Sequence, residues 1–278
     1  MRSRASSVSW PDATAAGAIA MLALLAWWTL WLESSSPYGH ALLHGAAHLS
    51  SVSTNPWFLA ALFVVAWTLM TMAMMLPTTI PLIVLFHRMI QDRSTAVWLI
   101  ALLVFGYLAV WTVSGLLLQL VYWSCGSAVA RMLGNDASPS VMGALLLAGA
   151  GAYQFSPLKQ ACLDQCRSPM SFLRSRWQGG NESMQALRIG VEHGAFCVGC
   201  CWSLMLLMFA VGAASLSWML MLGVVMAAEK NLPGARRLRV PIGALLLAGA
   251  AAWFVAGARS SAAATTPEPA NWCHLDRF

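Results

Sequence analysis

Residues 96–123 read AVWLIALLVFGYLAVWTVSGLLLQLVYW, 28 residues without one Asp, Glu, Lys or Arg. At about 1.5 Å per residue, a helix of that length exceeds the roughly 30 Å hydrocarbon core of a bilayer. The run is continuous and does not alternate at period two, so it reads as a spanning helix and not as a barrel strand. Similar runs recur near residues 16–32, 57–86, 141–157, 191–213, 216–230 and 240–258. The expectation is an all-α, polytopic helical membrane protein of about seven transmembrane helices. It forms one domain over residues 1–258, and a tail at 259–278 has the Ser, Ala, Thr and Pro content of a disordered segment. Only 9% of the 278 residues are charged, against roughly 25% in soluble domains, which excludes an ordinary water-soluble enzyme.

The net charge of +6 would suggest a nucleic-acid partner in a soluble protein; here its distribution across the bilayer carries the information, and no nucleic acid is expected. With the N-terminus inside, the cytoplasmic side takes Arg2, Arg4, Arg88, Arg93, Lys159, Arg167, Arg174, Arg176, Arg188, Lys230, Arg236, Arg237 and Arg239. The other side takes only Arg131, Arg259 and Arg277. That asymmetry predicts an N-in, C-out protein of a bacterial inner membrane for an odd number of helices. The run from Leu216 to Lys230 is the shortest, and a re-entrant segment is the alternative there. Arg2 and Arg4 before the first run also admit a cleaved signal peptide, but Trp27, Trp28 and Trp31 favour an interfacial belt.

Gly143–Ala150 and Gly243–Ala250 spell the same octet, GALLLAGA. Two readings stand side by side: an inverted three-helix repeat of the kind found in transporters, or two small-residue packing faces.

The chemistry concentrates in the cysteines. Cys162 and Cys166 are four residues apart, and Cys197, Cys200 and Cys201 follow His193 with spacings that share one helical face. All lie near the cytoplasmic face, where thiols stay reduced. A lone buried Cys is usually an inert small hydrophobe, but CxxxC with HxxxCxxCC is better explained as a soft-metal site, because thiolates are the preferred ligands of Cu(I) and Zn(II). Glu192 beside His193 is placed to orient a ligating imidazole.

The stretches Lys159–Pro169 (KQACLDQCRSP) and Gly194–Met205 (GAFCVGCCWSLM), with Trp218-Met219 and EKNLP at Glu229–Pro233, resemble a bacterial family of predicted metal-binding integral membrane proteins. The resemblance starts in the second helix, at MMLP (Met74–Pro77), and runs to Pro233. It implies metal binding and little more. Ala214 stands where the family places a methionine, so no ligand is carried over to that position.

Methionine, at 16 residues, is the next signal. Met70 with Met74, and Met72 with Met75, lead into Pro77 and Pro81, where the second helix must kink. Met205 and Met208 follow the cysteines. Thioethers suit Cu(I) and not zinc, so a methionine path would favour copper, although Met is also a common packing residue. His40, His44 and His48 recur every fourth residue outside and form either a second metal site or a solvated face. Cys125 and Cys273 are candidates for a disulfide on the oxidising side.

These readings converge on a membrane protein handling a transition metal, copper favoured over zinc, by transport or delivery. No enzyme activity is expected, and no GxxxxGK[ST] phosphate loop is present. Expected partners are the lipid bilayer and a metal-donor or metal-acceptor protein, with oligomerisation left open. A thiol-disulfide oxidoreductase using Cys197 and Cys200 is the alternative from another class. A structural subunit of a membrane complex is a third.

Overall fold

The computed structural model describes residues 10–34, 55–132, 139–178, 180–211, 216–232 and 234–265. These form ten α-helices: α1 (Trp10–Ser34), α2 (Pro56–Met74), α3 (Ile80–Ile90), α4 (Ala96–Met132), α5 (Pro139–Tyr153), α6 (Pro157–Arg167), α7 (Pro169–Arg176), α8 (Glu182–Val211), α9 (Leu216–Asn231) and α10 (Arg239–Thr265). No strand occurs among the described residues. Four segments are long and apolar enough to cross a membrane: Thr14–Leu32, Ala96–Val121, Glu182–Met208 and Ala235–Gly257. Two bent pairs, α2 with α3 and α5 with α6, raise that to six if each pair is one span. The run at 216–230 forms α9, whose 16 residues fall short of the roughly 20 needed to cross alone.

Both bends sit at prolines. α2 ends at Met74 because Pro77 has no N–H to continue the ladder and its ring crowds the preceding turn. The Thr71 carbonyl then receives the N–H groups of both Met75, at 2.8 Å, and Leu76, at 3.3 Å. Thr78 and Thr79 donate their hydroxyls to the Met75 and Leu76 carbonyls, each at 2.7 Å, so a buried bend of 46° keeps its backbone satisfied. The second bend, of 65°, falls between Tyr153 and Pro157, where the Ser156 side chain caps α6 by accepting from the Leu158 N–H at 3.2 Å.

α8 is the hub. Of the strongest apolar window in each long span, 56% of the α8 window is buried, against 28% in α4 and 11% in α10. α4 and α8 approach at backbone contact: a Cβ on Gly190 would lie 2.1 Å from the Leu103 carbonyl oxygen, and one on Gly106 would lie 2.6 Å from that of Leu187. Only glycine permits that separation. α1 docks through Ile19, Ala23, Ala26 and Leu30, and Trp27 donates its indole N–H to the Ala73 carbonyl at 3.0 Å. Trp27 is thus a packing residue, whereas Trp28 and Trp31 are exposed as a belt requires.

The two GALLLAGA octets pack against each other. Gly143 faces Trp253, Gly151 faces Leu247 and Gly243 faces Phe155, so α5 and α10 run antiparallel through their small residues. The octet-bearing helices α5 and α10 thus form one packing surface.

Arg93–Glu182, Arg236–Asp164, and Glu192 with Arg176 and Arg188 are ion pairs at the ends or connections of α3, α6, α7, α8 and α9. They gather the basic residues at one end of the bundle.

Gly190→Ala must force α4 and α8 apart and should destabilise the protein by about 1–3 kcal/mol. Gly249→Ala, at a position with nothing within 4 Å of the added carbon, should be neutral. Thermal unfolding of the two variants in micelles distinguishes them.

Candidate metal centre

Cys197, Cys200 and Cys201 occupy the inner face of α8 and are fully buried. Their neighbours follow from the packing already described. α6 lies against α8 because Gly199 has no side chain: a Cβ there would stand 2.6 Å from Cys162 Sγ. That close approach places Cys166 beside Cys200. Cys200 Sγ is 3.3 Å from Cys201 Sγ and donates to the Cys197 carbonyl at 3.2 Å, and Cys197 lies one turn before both on the same helix. From α5, Tyr153 donates its hydroxyl to the Gly199 carbonyl at 2.6 Å, pinning the backbone between the cysteines.

Four cysteines are therefore neighbours, Cys200 and Cys201 in sulfur–sulfur contact with Cys166 and Cys197 beside them. They do not form a closed cage: among the described residues, no three His, Cys, Asp or Glu side chains converge so as to enclose an ion. Cys162 belongs to the packing around Gly199 and not to this group. His193 is buried, with its ring between Tyr107, at 5.8 Å, and Phe172, at 5.6 Å, and its Nδ1 has no partner. Glu192 does not orient it, because both carboxylate oxygens are taken by Arg176 and Arg188.

The groups that sequence reading missed are charged. Lys159, assigned above to a cytoplasmic loop, is fully buried and donates to Glu229 Oε2 at 2.8 Å; Glu229 is itself 2% exposed. Arg167 donates its Nε–H to the Glu229 carbonyl at 2.7 Å. Lys230 also points inward. Its ammonium lies 2.9 Å from Cys197 Sγ, 3.2 Å from Thr78 Oγ1 and 3.8 Å from Met75 Sδ. The Tyr107 hydroxyl meets Cys197 Sγ at 3.0 Å from the opposite helix. The Glu229 and Lys230 side chains are both withdrawn from solvent and paired.

Among the methionines, Met75 alone is brought to the thiols through Lys230. Met70, Met74, Met205 and Met208 are buried in the apolar core, and Met72 is partly buried against it. His40, His44, His48, Cys273 and the side chain of Cys125 lie outside the described residues.

A family profile described as the PpoB2 copper chaperone matches residues 64–253, more than half of the chain. The chain belongs to the PpoB2 copper chaperone family. No curated protein and no solved structure matches it. The matched region holds α4 to α9 and nearly all of the surroundings of these thiols, including both buried lysines. A function connected with copper suits the donors found here, since thiolates and thioethers are the ligands that soft monovalent copper prefers.

Removing one partner of the Lys159–Glu229 pair leaves an uncompensated buried charge. Lys159→Met should cost about 3–5 kcal/mol, and the double variant Lys159→Met/Glu229→Leu should recover much of it. Chemical unfolding in micelles, as a double-mutant cycle, measures both.

Proposed function

We propose that this protein is a copper chaperone of a bacterial inner membrane, holding Cu(I) as cargo on the thiols of Cys166, Cys197, Cys200 and Cys201 and passing it to an acceptor protein. The observation that carries the reading is the group of four neighbouring cysteines on two helices locked together at Gly199. Cu(I) binds well to two or three soft donors and needs no closed cage. A group of thiols therefore suits an ion that arrives, steps between neighbours and leaves, whereas a closed tetrahedral cage suits retention of zinc. His193, with its unpartnered Nδ1 one turn before Cys197, is a further donor available to the ion.

In this reading the N-terminus faces the cytoplasm, and a C-out topology requires the 16-residue α9 to complete a seventh pass together with its neighbours. The positive-inside distribution supports it, as does the collection of Arg93, Arg176, Arg188 and Arg236 at one end of the bundle. The thiols then lie near the middle of the α8 span.

The experiment is elemental analysis and anaerobic Cu(I) titration of the purified protein, beside a Cys197→Ser/Cys200→Ser/Cys201→Ser variant. Near-stoichiometric copper in the wild type, lost in the variant, is expected. Equal copper in both would place the cargo elsewhere, and a Cys197–Cys200 disulfide with no copper would favour the redox reading.

A further inference from the structure

Lys230 is the one buried side chain described whose charge meets a cysteine sulfur. Its ammonium has three side-chain partners: the Cys197 thiol, the Thr78 hydroxyl and the Met75 thioether. Of these, only the thiol can carry a negative charge. An ammonium buried to 6% exposure needs a counter-charge, and Lys159 occupies the nearby Glu229 carboxylate at 2.8 Å. Two sulfurs and an oxygen thus surround a monovalent cation, and two of the three are soft donors of the kind that suits Cu(I).

We propose that the Lys230 ammonium is a built-in surrogate cation: it occupies the copper position at Cys197 in the empty protein, yields it to Cu(I), and by its charge discriminates against divalent ions. The proposal rests on the copper reading above and adds a determinant of ion choice. When the ion binds, no bond to carbon changes and no electron moves; Cu(I) forms its bond to Cys197 Sγ as the ammonium gives up its hydrogen bond there. One unit of positive charge enters the site and one leaves, so the buried charge is unchanged.

The side chain has somewhere to go. A surface cleft of about 300 Å³ is lined by Asp164, Arg167, Lys230, Asn231 and Arg236; the Asp164 carboxylate is already paired with Arg236 at 2.9 Å, so the ammonium that leaves the thiol moves toward water. Exchange with a monovalent ammonium leaves the buried charge unchanged only for a monovalent ion; a divalent ion leaves one uncompensated positive charge in the core. Zn(II) and Cu(II) are therefore penalised more than Cu(I), a discrimination that thiols alone do not provide against zinc.

The test uses the full chain in nanodiscs: wild type, Lys230→Met and Lys230→Arg. Cu(I) affinity is measured anaerobically against a chromophoric Cu(I) chelator, and Zn(II) affinity against a fluorescent zinc chelator. Lys230→Met should gain affinity for Zn(II) over Cu(I) by about tenfold or more relative to wild type, and Lys230→Arg should keep the wild-type preference. Parallel changes for both ions in Lys230→Met, or the same loss of preference in Lys230→Arg, would overturn the surrogate role while leaving wild-type copper binding intact. Wild type that binds no Cu(I) would instead overturn the chaperone reading, and this proposal with it. If Lys230→Met does not fold, Lys230→Gln, which can still donate to Thr78 Oγ1, carries the same comparison of neutral with charged.

Discussion

Charge burial governs the centre of this molecule. An ammonium withdrawn from water must meet an anion or a set of acceptors, and two such groups, Lys159 and Lys230, enter the core within a few residues of helix ends. Lys159 joins α6 to α9 through Glu229, while Lys230 joins α9 to the thiol of α8 and to the bend between α2 and α3. Adjacent positions on α9 thus carry opposite charges in different directions, each finding its complement on another helix. α9 is too short to cross a bilayer alone, and these contacts explain why it nevertheless lies deep in the bundle, with Met219, Leu222 and Met226 buried around it.

The bends belong to the same arrangement. A straight α2–α3 helix would carry Met75 and Thr78 on a regular ladder. The break at Pro77 instead turns the Thr78 hydroxyl to serve both the Met75 carbonyl and the Lys230 ammonium. The groups around Lys230 therefore come from two separate places, α8 and the α2–α3 bend, one held by glycine contacts and the other by its proline. Removing the bend would cost the site an oxygen and a sulfur together.

Much of this was legible in the sequence, and the rest was not for definite reasons. Apolar runs of 18 residues or more disclose long helices, so α1, α4, α8 and α10 were apparent, and Pro77 announced a kink. The spacing of Cys197, Cys200 and Cys201 placed them on one face, and they do share it. The fourth run, read to 157, ends close to the break after Tyr153; the helix that resumes from Pro157 to Arg167 was read as a polar loop, because its charged and polar residues hide a face that packs inward. Lys159 and Lys230 were assigned to the cytoplasmic side by charge alone; whether a charge near a helix end turns inward depends on a partner some 33 to 155 residues away in sequence. Glu192 was misread in the same way, its true partners being Arg176 on α7 and Arg188 one turn back. Gly199 carried a signal that could have been used: a glycine between ligand-type residues on a helix marks where another helix comes close, and here that helix brings Cys166.

The glycine contacts also bear on the entropy of capture. Gly190 and Gly194 lie one to two turns before Cys197 and hold α8 against the backbone of α4, an interface with no side chain of its own to change rotamer. The sulfurs beyond it stand on a stiff support, so an arriving ion has little protein to order. The one long chain that must move is Lys230, pinned at its tip by three contacts. Release into the cleft would return rotational freedom to its four-carbon stem, worth up to about 2 kcal/mol. Capture at this site would then loosen the protein where most binding sites tighten, and that gain helps to offset the loss of the ion's own freedom.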